Sequence, residues 1–431
     1  MGAGEQLKDR LRPESLTDSN RAEAATRGRA RAQLRWNLPD LVRILHCIHS
    51  TRATGGGPIE GIRQLATAHM ESARRVDIAC LDSAEVHDVE QPPIRVHGLG
   101  PGLGSYGYSP RWVPWLREHA PTYDAVVVNG LWQYSSFGTW RALRTSAQDY
   151  FIFPHGMLDP WFKRRYPLKH LKKCLYWPWA ESRVLRDAKA VLFTCEEERQ
   201  LACQSFRPYR CREVVVNYGT SSPPEKVEKQ RNCFLERFPA LQGKRMVLFL
   251  SRIHEKKGCD LLIEAFARLR ERLSDGGRVH LVLAGPCADQ RYLRGLQSLA
   301  DRLLPSGSVT WAGMLVGDAK WGAFRACEVF ALPSHQENFG IAVAEALACS
   351  RPVLISDRVN IWREIQEDGA GLVAADTLEG TQTLLEKWFA MRDAERVNMR
   401  SRALLCFRQR FEIHQAARKL VEVFLEPSLP A

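Results

Sequence analysis

Several chemistries are missing from this 431-residue chain. Its twelve cysteines form no C-x-x-C pair, and no Cys/His group has the spacing of a zinc site. Their neighbours are apolar, as at Leu45-His46-Cys47-Ile48 and Leu347-Ala348-Cys349. The expectation is therefore buried, reduced thiols in a cytoplasmic protein. No apolar run is long enough for a transmembrane helix. The first forty residues are rich in Arg, Glu, Asp and Ala and lack the apolar core of a secretory signal. Residues 1–39 read instead as a mobile basic tail. The dinucleotide fingerprint G-x-G-x-x-G is absent, and so is a metal-binding D-x-D pair, since Asp260 and Asp357 stand alone.

What is present is an ordinary globular balance, 45% apolar and 26% charged, in a chain too long for one core. Two domains are expected. Lys and Arg exceed Asp and Glu to give a net charge of +12, which suits anionic partners or simply a soluble basic surface. Short β-branched runs alternate with longer amphipathic stretches, the pattern of parallel sheets with crossover helices. The first half offers strands at Val42–Ile48, Val76–Leu81, Ile94–His97, Asp124–Val128, Tyr150–Phe153, Ala190–Phe193 and Glu213–Val216, with helices such as Glu60–Ala73 and Lys169–Arg186. A turn-rich segment, Tyr218-Gly219-Thr220-Ser221-Ser222-Pro223-Pro224, breaks the pattern. Strands then resume at Met246–Leu250, Val279–Ala284, Val309–Ala312, Val329–Leu332, Pro352–Ile355 and Gly371–Val373. The domains are accordingly placed at 40–220 and 221–409, both Rossmann-like and doubly wound, with a terminal helix, 410–426, packing back on the first.

Ligands of such sheets bind outside the carboxyl ends of the strands, so four strand-end loops carry the search. Thr54-Gly55-Gly56-Gly57-Pro58 precedes a helix, where glycines admit a phosphate to free N–H groups; a plain turn would look the same. Pro154-His155-Gly156-Met157 puts a histidine at a strand end. Ser251-Arg252-Ile253-His254-Glu255-Lys256-Lys257-Gly258 carries Arg252 and Lys257 within one turn, a fork and a point charge that can reach one diphosphate. The segment from Ser334 to Leu347 is the most informative. Glu337 stands before an apolar helix and Glu345 lies inside it, about 12 Å further along at helical rise. That offset approximates the distance from a sugar, past a diphosphate, to a ribose. A buried Glu345 needs donors, which a ribose diol or a salt bridge would supply. The N–H groups of Asn338, Phe339, Gly340 and Ile341 lie at the helix start.

At these residues the chain resembles the family-4, group 1 retaining glycosyltransferases of the GT-B fold. E-x7-E at Glu337 and Glu345, S-R-I-H-E-K-K-G at 251–258, G-G-G-P at 55–58 and H-G at 155–156 occur in that family's order. Val359–Ile365 and Leu283-Ala284-Gly285-Pro286 are also similar. Ser350 departs, standing at a turn where relatives often have Gly. The resemblance implies that Arg252 and Lys257 bind the donor diphosphate, Glu345 the ribose and Glu337 the transferred sugar. Gly55, Gly56 and Gly57 would approach phosphate, His155 would position the sugar or leaving phosphate, and Met314 would pass beside the base. It implies sugar transfer from a nucleoside diphosphate to an acceptor hydroxyl, in cell-surface polysaccharide assembly, with no metal and no cofactor beyond the donor substrate. A saccharide or lipid-linked saccharide is the expected acceptor. A nucleotide-sugar epimerase or a non-catalytic binding protein would share the fold. The densest positive charge, Trp161 to Lys173, interleaves cations with aromatics. It suits either a solvated basic helix or contact with the anionic inner face of the cell membrane. Nucleic acid is not expected, because no reader motif accompanies the charge.

Overall fold

The computed structural model describes residues 42–52, 57–72, 74–83, 94–273 and 278–426. The 1–39 segment, Gly55 and Gly56 lie outside the described residues. From Arg43 onward the chain forms one compact unit, built as two lobes, each with its own sheet.

The first lobe runs β1 (Arg43–Cys47), α1 (Gly57–Glu71), β2 (Arg75–Cys80), β3 (Arg95–Gly98), α2 (Trp112–His119), β4 (Ala125–Asn129), α3 (Tyr134–Leu143) and β5 (Tyr150–Phe153). It continues through α4 (Trp161–Arg165), α5 (Pro167–Tyr176), α6 (Glu181–Arg186), β6 (Ala190–Phe193), α7 (Glu196–Ala202) and β7 (Glu213–Val215). The second lobe runs α8 (Val227–Arg237), β8 (Arg245–Leu250), α9 (Cys259–Arg272), β9 (Val279–Ala284), α10 (Gln290–Leu303), β10 (Val309–Gly313), α11 (Gly317–Ala326) and β11 (Val329–Leu332). Then come α12 (Ile341–Ala348), β12 (Val353–Ser356), α13 (Trp362–Glu367), β13 (Gly371–Ala374), α14 (Leu378–Ala390), α15 (Asp393–Cys406) and α16 (Ile413–Leu425).

Both sheets are parallel. Their orders are β3-β2-β1-β4-β5-β6-β7 and β10-β9-β8-β11-β12-β13. Strands covered by helices on both faces read as continuous apolar runs, and every residue of Ala125–Asn129 and of Val279–Ala284 is buried. In each sheet the strand order reverses beside the first strand of the lobe, between β1 and β4 and between β8 and β11. Crossover helices leave opposite faces at such a point and open a crevice at the strand ends. The loops after β1, β8 and β11 carry most of the candidate residues, and His155 follows β5, the neighbour of β4 in the first sheet.

One expected helix is broken. The stretch 169–186 becomes α5 and α6, separated by a 3-10 turn at Trp177–Trp179. Pro178 has no N–H to donate and its ring crowds the preceding turn, so the α-helix stops at Tyr176.

The chain passes between lobes twice. The outgoing passage follows Tyr218, and the return ends at α16, which lies on the first lobe against α1. Phe424 of α16 packs on Phe151 of β5, with ring centroids 4.7 Å apart. The passages are tied together: Thr220 N–H donates to the Phe411 carbonyl at 2.9 Å, and Ile413 N–H to the Thr220 carbonyl at 3.2 Å.

All twelve cysteines are free thiols; Cys47, Cys195 and Cys349 are among those buried, while Cys174, Cys203, Cys211, Cys233 and Cys287 are half-buried.

Candidate functional site

Between the lobes lies a cavity of about 380 Å³ whose lining includes Gly57, His155, Arg252, Lys257, Glu337, Asn338, Phe339, Gly340, Ile341 and Glu345. These residues converge there from four separate loops, those after β1, β5, β8 and β11. Met314 does not join them: it follows β10 and its side chain is exposed.

The β8 loop sets the cations. After Leu250 the chain makes one 3-10 turn, Glu255–Lys257, capped by His254, whose ring accepts from the Lys256 N–H at 3.1 Å. Gly258 ends the turn at φ +65, and a Cβ there would stand 2.2 Å from the Pro333 carbonyl oxygen. Only glycine permits that approach of the β8 and β11 loops. The His335 N–H closes it by donating to the Lys256 carbonyl at 2.8 Å. The effect is to bury Lys257 with its ammonium against the Glu337 carboxylate. Burial pushes the Glu337 carboxyl upward, but Lys257, with Lys256 and Arg252 behind it, outweighs this and holds it below the usual range. Burial and the neighbouring Lys257 lower Lys256 to about 8. Arg252 is exposed and has no side-chain partner among the described residues, so its guanidinium fork faces the cavity uncommitted.

Glu337 is fixed by its backbone as well. Its N–H donates to Arg358 carbonyl at 2.9 Å and its carbonyl accepts from Asn360 N–H at 3.0 Å. α12 then starts at Ile341, a run of Ala, Ile, Val and Leu interrupted only by Glu345. Glu345 is buried, and Lys320 of α11 donates to it at 2.7 Å. Burial raises its carboxyl and Lys320 offsets this only in part. The carboxylate therefore has a protein donor already, beside the cavity it lines. At the far end of α12, Ser350 adopts φ +57, which explains why glycine suits that turn.

The first lobe contributes neutral groups. His155 follows β5 at φ +50, an uncommon backbone region for a residue with a Cβ. Its Nε2 lies 3.0 Å from Asn129 Oδ1 at the end of β4. Its ring stacks on Phe153 and meets the edge of Tyr218. Burial lowers its pKa to about 3, so it is a neutral imidazole at pH 7. Gly156 follows at φ +73, where a Cβ would lie 2.8 Å from Asn338 Oδ1 of the opposite lobe. Its N–H donates to buried Glu198 at 2.6 Å, which also accepts from Thr194 Oγ1 at 2.6 Å. Thr194 in turn accepts from Asn338 Nδ2 at 3.2 Å, joining the lobes behind the cavity.

Two participants escape sequence reasoning. Lys320 is 25 positions from its partner Glu345, and nothing in its local sequence marks it. Tyr218 looks like part of a linker, yet it is buried in the cavity wall against His155 and Phe339.

"Glycosyl transferases group 1" matches residues 234–403 and "Glycosyl transferase 4-like domain" matches residues 56–219, one per lobe. A mannosylfructose-phosphate synthase of Agrobacterium fabrum is 32% identical over 138 residues, 31% of this chain and 30% of the relative. A D-inositol 3-phosphate glycosyltransferase of Kineococcus radiotolerans is 30% identical over 209 residues, 48% of this chain and 47% of the relative. The chain thus spans a third to a half of the length of these curated relatives. Among solved structures, Anabaena HepE in complex with UDP and glucose superposes with a TM-score of 0.68 at 18% identity, covering 88% of this chain and 98% of that one. Sucrose-phosphate synthase from Thermosynechococcus elongatus gives 0.68 at 18%, covering 89% and 98%. The fold is GT-B, and with one family match on each lobe the chain belongs to the family-4, group 1 glycosyltransferases.

Proposed function

We propose that this protein transfers a sugar from a nucleoside-diphosphate sugar to an acceptor hydroxyl with retention of anomeric configuration. The observation that carries the reading is the charge distribution on the second-lobe wall. Arg252, Lys256 and Lys257 stand against the single carboxylate of Glu337, which leaves two positive charges for the two negative charges of a diphosphate. Glu345 and Lys320 cancel each other further along.

Cleavage of the sugar–phosphate bond builds negative charge on the leaving diphosphate. Fixed cations stabilise that charge without reorganising, and they act most strongly in a cavity closed to water. Arg252 holds the phosphates bidentately, Lys257 sits between phosphate and Glu337, and the helix starts at Gly57 and Ile341 add N–H groups. Glu337 accepts from hydroxyls of the bound sugar, and the neutral His155 hydrogen-bonds the sugar or the leaving phosphate. Glu345, already held by Lys320, accepts from the ribose. Side chains supply the positive charge on this reading, and no metal takes part. The solved HepE complex contains UDP and glucose, which supports a nucleotide-sugar donor. Family resemblance supports a saccharide or lipid-linked saccharide acceptor in cell-surface polysaccharide assembly at the inner face of the membrane.

The test is donor hydrolysis across UDP- and GDP-sugars, with the anomeric configuration of the released or transferred sugar read by NMR. At least one donor should turn over with retention. Epimerised donor, or tight binding of every donor with no turnover, would overturn the reading.

A further inference from the structure

The segment that carries the densest positive charge does not bury its helix. On α5, Leu168, Leu171 and Leu175 are 83%, 61% and 72% exposed, and Trp179 just beyond is 51% exposed. The leucines are three and four residues apart, so they form one stripe along one side of the helix. The opposite side does the packing. His170 lies on Phe206 with ring centroids 4.7 Å apart, Tyr176 hydroxyl meets Tyr106 hydroxyl at 2.7 Å, and Lys173 rests over the Trp132 ring. The leucines are therefore surplus to the fold. Leaving three large apolar side chains in water on one short helix is unfavourable unless something covers them.

The charge around the stripe says what covers it. From Trp161 to Trp179 there are six Lys and Arg and no Asp or Glu. Arg165 is committed to Glu255 at 3.0 Å and Lys173 to Trp132. Lys163, Arg164, Lys169 and Lys172 remain exposed beside the leucines. A stripe of leucines with a tryptophan at its end and a one-signed basic flank matches the boundary of an anionic bilayer, where acyl chains take the leucines, headgroups take the lysines and the indole lies between.

We infer that the α5 face is a docking surface for an anionic lipid bilayer. It lies beside the cleft, because Phe162 of α4 lines the interlobe cavity and α5 follows directly. Docking places that side of the cavity towards the headgroups, where a lipid-borne acceptor hydroxyl would be delivered. The surface itself does not depend on the proposed glycosyl transfer.

The test is flotation of the full chain with vesicles of phosphatidylglycerol and phosphatidylcholine, against phosphatidylcholine alone. The wild-type chain should float with the anionic vesicles and much less with the neutral ones. The triple variant Leu168→Gln, Leu171→Gln, Leu175→Gln should lose roughly tenfold or more in partitioning. Lys163→Glu with Lys172→Glu should lose a similar factor, and 0.5 M salt should weaken wild-type binding. Donor hydrolysis without vesicles should be unchanged in both variants, which separates this outcome from failure of the enzymatic reading. The inference is overturned if the leucine variant floats like wild type, or if neutral vesicles bind equally well. It is also overturned if the variant's only change is loss of a dimer in sedimentation velocity, since a second copy would then be the occupant.

Discussion

The two walls of the cavity are built on opposite plans. The second-lobe wall carries charge: Arg252, Lys256, Lys257, Glu337 and Glu345. The first-lobe wall, among the described residues, carries none: Gly57, Pro58, His155, Gly156, Met157, Phe162, Thr194 and Tyr218. Its histidine is held neutral by burial, and Glu198 behind it is turned to Gly156 and Thr194. On the proposed function, a bound diphosphate needs strong, stationary countercharge, which the second lobe would supply. A second substrate that must enter and leave is better met by neutral hydrogen bonds and aromatic surface, which do not hold it electrostatically. On the proposed function, the difference gives charge stabilisation to one wall and positioning to the other.

The sharpest way to break this division is Lys257→Ala. It removes a cation and leaves Glu337 buried without its partner, so kcat for donor turnover should fall by about 10² to 10³ or more. His155→Ala should cost less, roughly tenfold to a hundredfold in kcat, since a neutral hydrogen bond is lost. If the second lobe supplies the charge, the wild-type pH–rate profile should show no inflection near 6.5 from His155, whose pKa is lowered to about 3. Arg252→Lys keeps the charge and loses the fork, and about a tenfold loss in kcat/KM is expected. Glu345→Gln keeps the shape, and donor KM should rise by roughly threefold to tenfold with kcat little changed if Glu345 serves binding alone.

The smallest expected effect is on stability. Burial lowers His46 to about 4 and His69 to about 3, both in the first lobe. A histidine depressed in the folded state takes up its proton first in the unfolded chain. Its contribution is intact above the unfolded pKa near 6.5 and is lost as pH falls toward the folded value. Each buried histidine should therefore cost up to about 1.4 kcal/mol per pH unit below roughly 6.5. Urea denaturation between pH 7 and 5 should show the decline, and His69→Gln should flatten it.

Much of this was legible in the sequence, for identifiable reasons. The strands were readable because doubly covered parallel strands are short apolar runs bounded by turns, so Tyr150–Phe153, Ala190–Phe193 and Val329–Leu332 coincide with their expected limits. The motif residues of the second lobe were readable because Arg252 and Lys257 share one turn and Glu337 and Glu345 flank one helix start. Such local spacing is visible before folding. Lys320 and Tyr218 were not, because Lys320 reaches the cavity-lining Glu345, and Tyr218 the cavity wall, only through packing that the strand order creates. The α5 surface was half legible. Its lysines stood out as a run, but the leucines beside them look like core until the packing shows which side of the helix is turned inward. The break at Trp177–Trp179 was available from Pro178 and outweighed by the apolar periodicity around it.

The paired passages between the lobes carry a consequence of their own. Two segments fastened side by side, at Thr220 with Phe411 and Ile413, act like the two leaves of a door hinge. The bonds hold the two passages at a fixed spacing where the lobes join. Because α16 is anchored on the first lobe beyond that joint, trimming the chain from its C-terminus would remove one of the two fastenings between the lobes.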